Sequence, residues 1–254
     1  MTIRHLYKYG RLDEHSEAIF STPVVWFSAP SQLNDPFECR PWFTFEGSQD
    51  QIVQSLARAI HKQNPGLPQN EAVAIAVSIF LEGRHRNPQT WENLRQDVIS
   101  KLAHEIGLYC MSETSDSILM WSHYAANHCG YCFQFEATDQ TPFFGYAQHV
   151  GYSEDFPVVD FYNTPLDKQV DLIFLTKYLG WEYEREWRII DHDNGPGLHE
   201  YPPELLTGVI FGIRMLDKDK ASIRSWTANR NSSVKFYQAV QDQRKFAIDL
   251  AEIA

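Results

Sequence analysis

The chain has 254 residues, enough for one large domain or a core domain carrying an insertion, and a 43% hydrophobic content supplies a sizeable core. A net charge of −11 argues against general nucleic-acid binding, which needs clustered Lys and Arg to meet phosphates, and leaves room only for a local basic groove. No apolar run approaches the ~20 residues of a membrane span, the first residues lack the basic and apolar regions of a signal peptide, and Cys39, Cys110, Cys129 and Cys132 are expected to be reduced thiols of a cytoplasmic protein.

Ile3 to Tyr9 alternates apolar and polar residues and predicts a strand, followed by a short helix over Leu12 to Phe20 and a second strand over Val24 to Ser28. Pro30 to Glu38 is rich in turn formers and reads as a loop. Arg40 to Phe45 suits a short strand. From about Ser48 to Ile106 the pattern turns helical: Ile52, Val53, Leu56, Ala59 and Ile60, then Val73, Val77, Phe80 and Leu81, then Trp91, Leu94, Val98, Leu102 and Ile106. Breaks at Asn64 to Pro68 and at Asn87-Pro88 divide this stretch into three helices.

A strand is predicted over Gly107 to Ser112. A helix follows over Asp116 to Ala126, with Ser115 or Asp116 as its cap. Gly130 to Glu136 and Gln148 to Tyr152 read as strands, Leu166 to Tyr178 as a helix and Glu182 to Ile190 as a strand. Asp191 to Pro203 reads as a loop, Val209 to Gly212 as a short buried strand, Lys218 to Ala228 as a helix and Val234 to Ala239 as the last strand. Strands and helices mix without a βαβ rhythm. The expected fold is α+β, one domain over 1–254, with a mixed, largely antiparallel sheet and a helical insertion at about 48–106.

Chemistry concentrates in Trp181 to Arg188. In a strand, Glu182, Glu184, Glu186 and Arg188 would share one face, with neighbours roughly 6.5–7 Å apart. Tyr183, Arg185, Trp187 and Ile189 would take the other. Carboxylates in such a row raise one another's pKa unless a cation relieves them, so the row points to a polar cleft, and a surface strand paired with Lys177 and Arg188 is the competing reading. Lys177 suits the end of the preceding helix, where it can meet a glutamate of the strand or a ligand phosphate. The loop holding Asn34, Asp35 and Glu38 is either a ligand loop or a self-bonded turn.

On the helix around Trp121, His123 is a candidate general base. A Ser122–His123 nucleophilic pair is disfavoured, because adjacent helix residues project about 100° apart. His123, His128, Cys129 and Cys132 suggest zinc only weakly: Cys129 to Cys132 is a single C-x-x-C running into a strand, so no metal site is assigned. P-loop, G-x-G-x-x-G and G-x-S-x-G patterns are absent from the sequence.

Taken together, Leu6-Tyr-Lys-Tyr9, Phe27-Ser-Ala-Pro30 with Leu33-Asn-Asp-Pro-Phe-Glu38, Met120-Trp-Ser-His-Tyr-Ala125 with Gly130, and Trp181 to Arg188 with Ile210-Phe-Gly212 resemble the bacterial family known as domain of unknown function 2971. That resemblance implies a cytoplasmic bacterial protein, in some members associated with phage defence or mobile elements. The family name itself states no activity; Ser28, Asn34, Asp35, Glu38, Trp121, Tyr124 and Arg188 lie in these motifs and are candidate binding residues. Cys129 stands where the family pattern usually has a basic residue, which weakens the zinc reading further.

Glu184-Arg185-Glu186 is also similar to the Glu-x-Glu of ADP-ribosyltransferases. Tyr7, Lys8 and Tyr9 stand in for the first-strand residues expected there, and Tyr152-Ser153 for the Ser-x-Ser strand. The chain departs from that pattern in having no Ser-Thr-Ser, and only Arg4 and His5 as basic candidates of the expected kind. This second resemblance implies NAD as substrate, Glu186 as the catalytic carboxylate with Glu184 as its partner, aromatic rings around nicotinamide, and Lys177 or Arg188 facing the pyrophosphate.

Three function classes follow. One is an NAD-cleaving or ADP-ribosyl-transferring enzyme taking a nucleotide-like ligand. Another is a non-enzymatic sensor or binding module, of unknown protein partner, whose acidic and aromatic cluster is a structural network. The third is a metal-assisted phosphodiester hydrolase using Asp35, Glu38, Glu184 and Glu186 as oxygen ligands.

Overall fold

The computed structural model describes residues 4–230 and 232–253; Ile3, expected in the first strand, lies outside the described residues. The fold is α+β with a mixed, mostly antiparallel sheet. Two compact units emerge, one from the described residues of 1–38, 104–154 and 177–254, the other from 39–103 and 155–176.

The first unit is built on an eight-stranded sheet. Its strands are β1 (His5–Gly10), β4 (Gly107–Ser112), β5 (Tyr131–Glu136), β6 (Gln148–His149), β10 (Glu186–Asp191), β12 (Leu206–Phe211), β13 (Lys235–Gln241) and β14 (Ile248–Ile253), in the order β14-β13-β12-β5-β1-β4-β10-β6. The β12–β13 pair is parallel; the other registers are antiparallel. A two-stranded ribbon pairs β2 (Val24–Phe27) with β11 (Gly197–Glu200).

Alternation gives the sheet two covered faces. On one, Leu6, Tyr109, Met111, Phe133, Phe135, Ile189, Val209 and Phe211 form the main core. Phe20 of α1 (Ser16–Ser21) and Ile223 of α7 (Asp217–Thr227) pack onto it. On the other, Tyr9, Cys132, Ile210 and Ala239 meet Met120 and Trp121 of α5 (Ile118–Tyr124). Covering both faces explains why β5 reads Tyr-Cys-Phe-Gln-Phe, nearly unbroken in apolar character.

In the second unit the three expected helices form at α2 (Gln49–Gln63), α3 (Gln69–Leu81) and α4 (Pro88–Glu105). Ser48 and Gln51 build a reciprocal capping box on α2. Val53, Ala57 and Ala76 form its buried core, with Leu56, Ile60, Val73, Val77 and Phe80 against it. The unit also holds the parallel pair β3 (Trp42–Thr44) and β8 (Val158–Asp160), and α6 (Leu166–Phe174).

Several expectations need correction. The stretch Glu182 to Ile190 is not one strand: Leu179–Glu184 is a 3-10 helix, Arg185 turns left-handed at φ 44°, and only then does β10 begin. Glu182 therefore shares no strand face with Glu184 and Glu186. The helix expected over Leu166 to Tyr178 stops at Phe174, and Thr176–Tyr178 is a strand, β9, paired with β7 (Gly151–Ser153). Local periodicity there continues, but Lys177 is held extended by its tertiary ion pairs. Ser117 rather than Ser115 or Asp116 caps α5, accepting from the Met120 N–H. The predicted loop Asp191 to Pro203 contains β11, a ribbon strand that exists only through its pairing with β2. Beyond the expected last strand the chain continues to β14. Among the described residues no helix is long and apolar enough to cross a membrane.

Candidate functional site

β4 is the spine of the site. Leu108, Cys110 and Ser112 alternate onto one face, and directly registered partners point the same way. Tyr7 of β1 and Glu186 of β10 therefore flank Ser112, and Arg188 flanks Cys110. The β1–β4 ladder registers at Tyr7↔Ser112, while at the far end of β4 Leu108 is bridged by Ser28, just past β2. Between those two attachments the edge of β4 faces a cavity of ≈ 250 Å³.

Its walls come from four elements. β1 supplies Tyr7, Lys8 and Tyr9, and α5 supplies Met120 and Tyr124. The loop after β2 brings Ser28, Gln32, Asn34 and Glu38. The stretch from β9 to β10 brings Lys177, Glu184, Glu186 and Arg188.

The floor is a buried ion network. Lys177 donates from Nζ to Glu38 (3.0 Å), Glu184 (2.5 Å) and Glu186 (2.9 Å), one acceptor for each of its three N–H bonds. Arg188 grips Glu186 with a fork, Nε to Oε1 at 2.7 Å and one terminal nitrogen to Oε2 at 2.9 Å, and that same nitrogen also donates to Glu38. Glu184 takes Lys177 on one oxygen and the Tyr124 hydroxyl on the other, at 2.5 Å. Asn34 donates in turn to the Tyr124 oxygen at 3.1 Å. Three carboxylates against two cations leave the cluster with a formal charge of −1.

Position in this network separates the two glutamates. Burial pushes the pKa of Glu186 up, but Arg188 and Lys177 outweigh it and hold the carboxyl well below the usual range. For Glu184 burial wins over Lys177 and Tyr124, and its pKa is raised. Burial works against the Lys177 ammonium, yet Glu186, Glu38 and Glu184 keep it firmly protonated above the ordinary lysine value. Burial and then Glu184 push the Tyr124 hydroxyl up, so it stays a donor. The Tyr152 hydroxyl, pushed to about 12 chiefly by burial, accepts the Glu186 N–H at 2.8 Å and fixes the start of β10.

Of the expected site residues, Tyr7, Tyr9, Ser28, Asn34, Glu38, Tyr124, Lys177, Glu184, Glu186 and Arg188 meet at this cavity. Others stand behind it. Asp35 is buried and accepts from the Phe37 N–H and the Trp181 indole. Trp121 is fully buried, donates to Ser115 O and packs edge-on against Tyr9 at 5.2 Å, so it supports the wall rather than facing a ligand. Tyr152 acts through the backbone of Glu186. His123 is exposed and is not among the lining residues.

Nothing in the sequence marks Cys110 or Ser112 as site residues, because both sit in an apolar strand; Lys8 stands with Tyr7 and Tyr9 in the first-strand resemblance but is not among the expected binding residues, since it alternates away from both. Ser112 donates to the backbone carbonyl of Glu184 at 2.5 Å and so ties the 3-10 helix to β4. Among the described residues no grouping of His, Cys, Asp and Glu could hold a metal ion. Glu38, Glu184 and Glu186 are instead bound by cations of the chain itself.

Gly130, singled out with the Trp121 helix, has a steric reason. Ala126, Asn127 and His128 are all left-handed and swing the chain back, so that the Gly130 N–H bonds Ala125 O. A Cβ at Gly130 would lie 2.2 Å from Gly10 O at the end of β1.

Residues 120–189 match the model of the family described as "Protein of unknown function (DUF2971)", the family that the motifs resemble. The matched stretch carries Tyr124, Lys177, Glu184, Glu186 and Arg188 of the cavity. No curated protein and no solved structure matches the chain.

Proposed function

We propose that the cavity is the active site of an enzyme that cleaves the N-glycosidic bond of a nucleotide-like substrate, most concretely NAD, by hydrolysis or ADP-ribosyl transfer. The observation that supports this reading is Glu184: a buried carboxylate with a raised pKa, bonded to a phenol, at the wall of a tyrosine-lined cavity whose ion network carries a net negative charge. When the C1′–N bond of the substrate breaks, the electron pair leaves with nicotinamide and positive charge develops on the ribose. A cluster of charge −1 preorganised beneath the ribose favours that charge. The acceptor oxygen then bonds C1′, and its proton passes to Glu184, whose raised pKa suits a general base.

In this reading Glu184 and Glu186 exchange the roles expected from the Glu-x-Glu pattern. Glu186, bound at both oxygens by Arg188 and Lys177, is the electrostatic support, and Glu184 is the carboxylate next to substrate. The test is nicotinamide release from NAD by the purified protein. Glu184→Gln is expected to lower turnover by roughly 10²-fold or more, the usual contribution of a positioned acid or base. Tyr124→Phe, which removes one hydrogen bond to Glu184, is expected to lower it by about tenfold. No release by the wild type, or release indifferent to Glu184→Gln, rejects the reading.

A binding module with a structural network is the second reading, supported by the closure of the ion network, in which each oxygen of Glu38, Glu184 and Glu186 has a donor. It predicts nucleotide binding without turnover.

A further inference from the structure

The three cations lining the cavity are not equivalent. Lys177 spends its three N–H bonds on Glu38, Glu184 and Glu186, and Arg188 is fully buried against Glu186 and Glu38. Neither can turn to a ligand anion without abandoning a buried carboxylate. Lys8 is different. Among the described residues its one hydrogen bond runs from Nζ to Cys110 O at 2.7 Å, and its ammonium lies 5.0 Å from the Tyr109 ring centroid. That carbonyl belongs to the stretch of β4 between its attachments to Tyr7 and Ser28. Two of the three ammonium N–H bonds are left for another acceptor.

Position adds a second argument. Cys110 lies two residues along β4 from Ser112, roughly 6.6 Å at a strand's rise, and Ser112 holds the backbone of Glu184. Leu108, two residues further, is bridged by the backbone of Ser28, which also lines the cavity. Along β4 the cavity therefore meets Glu184 at Ser112, then Lys8 at Cys110, then Ser28 at Leu108.

The geometry points to Lys8, with Ser28, as an anion subsite that takes a phosphate or pyrophosphate group of the ligand. This rests on the proposed nucleotide reading for the identity of the anion, and it moves the phosphate contact away from Lys177 and Arg188. A substrate spanning the cavity would then place its phosphates at Lys8 and its scissile sugar at Glu184.

The experiment is calorimetric titration of the wild type, Lys8→Met and Lys8→Arg with inorganic pyrophosphate, ADP-ribose and nicotinamide riboside, with melting temperature as the check on folding. The wild type is expected to bind pyrophosphate and ADP-ribose more weakly as salt rises. Lys8→Met is expected to lose roughly tenfold or more for both, the worth of a charge-assisted hydrogen bond, and to leave nicotinamide riboside within about twofold. Lys8→Arg keeps the cation and is expected to stay close to wild type in its affinity for the anions. Equal affinity of wild type and Lys8→Met for pyrophosphate and ADP-ribose, or no binding of either to the wild type, overturns the subsite. Lys8-dependent binding of pyrophosphate without nicotinamide release from NAD keeps the subsite and rejects the glycosidic chemistry; NAD cleavage that ignores Lys8 does the reverse.

Discussion

Glu186 and Glu184 differ by two positions and respond to pH with opposite signs. An unfolded glutamate titrates near ~4.3. In the fold burial would raise Glu186, but Arg188 and Lys177 hold it lower, so its contribution to stability is present above the unfolded value and is lost as pH falls through the folded one. For Glu184 burial dominates and the folded pKa is raised. Its ionised form weighs against folding at neutral pH, and that weight lifts as pH falls through the folded value. Thermal melts should show this: the loss of wild-type stability below about pH 4 is expected to be shallower in Glu186→Gln. At neutral pH Glu186→Gln leaves two buried cations short of charge and is expected to cost about 3–5 kcal/mol, or roughly 6–20 °C in melting temperature. Glu184→Gln should stay within a few degrees of wild type. A Glu186→Gln protein as stable as wild type would mean that the network does not hold the fold. At this scale the sequence exposes the acids and the cations, since Glu184, Glu186, Arg188, Lys177 and Glu38 all announce themselves by type and spacing. It does not expose which acid is held by two cations and which by one cation and a phenol, because that depends on partners up to 150 positions away, as with Arg188 and Glu38.

The element that carries the most consequence is the joint between the 3-10 helix Leu179–Glu184 and β10. Arg185 sits there at φ 44°, a conformation unfavourable for a residue with a Cβ. Its N–H bonds Glu182 O and its carbonyl accepts from Glu113 N, so the surroundings impose the turn. Arg185→Gly relieves the conformation and gives up only an exposed 3.8 Å ion pair to Glu113. The expected result is unchanged or higher stability, by up to ~1 kcal/mol, in urea melts; a clear loss would show that the Arg185 side chain matters beyond its backbone. Gly130→Ala makes the opposite case, since the added methyl meets the Gly10 carbonyl; about 1–3 kcal/mol of destabilisation is expected. Periodicity predicts most elements because apolar spacing is local: β4 matches its expected bounds, Gly107 to Ser112, and the three helices of 48–106 all form. It misreads Trp181 to Arg188 because a 3-10 turn followed by one left-handed residue leaves the same residue types in the same order as a strand.

For the molecule as a whole, a net charge of −11 sets its behaviour toward polyanions. No retention of a 30-base-pair (~30 bp) random duplex is expected in fluorescence anisotropy at physiological salt, and tight, salt-dependent binding would contradict the reading from composition. The cation at Lys8 is compatible with this charge because it is a single group inside a cavity rather than a basic face.

Composition and periodicity determined the fold class and most element positions, since burial of apolar stripes and the turn preferences of Gly, Pro, Asn and Ser act over a few residues, and the motifs with their family resemblance supplied much of the pool of site residues. Only the tertiary structure decided what those residues do to one another. The left-handed turn at Arg185, the extended Lys177, the fork of Arg188 on Glu186 and the Lys8 ammonium on the edge of β4 all depend on strands distant in sequence being brought side by side. Charge–charge energies and desolvation are set by distances across the sheet, and spacing along the chain does not encode them.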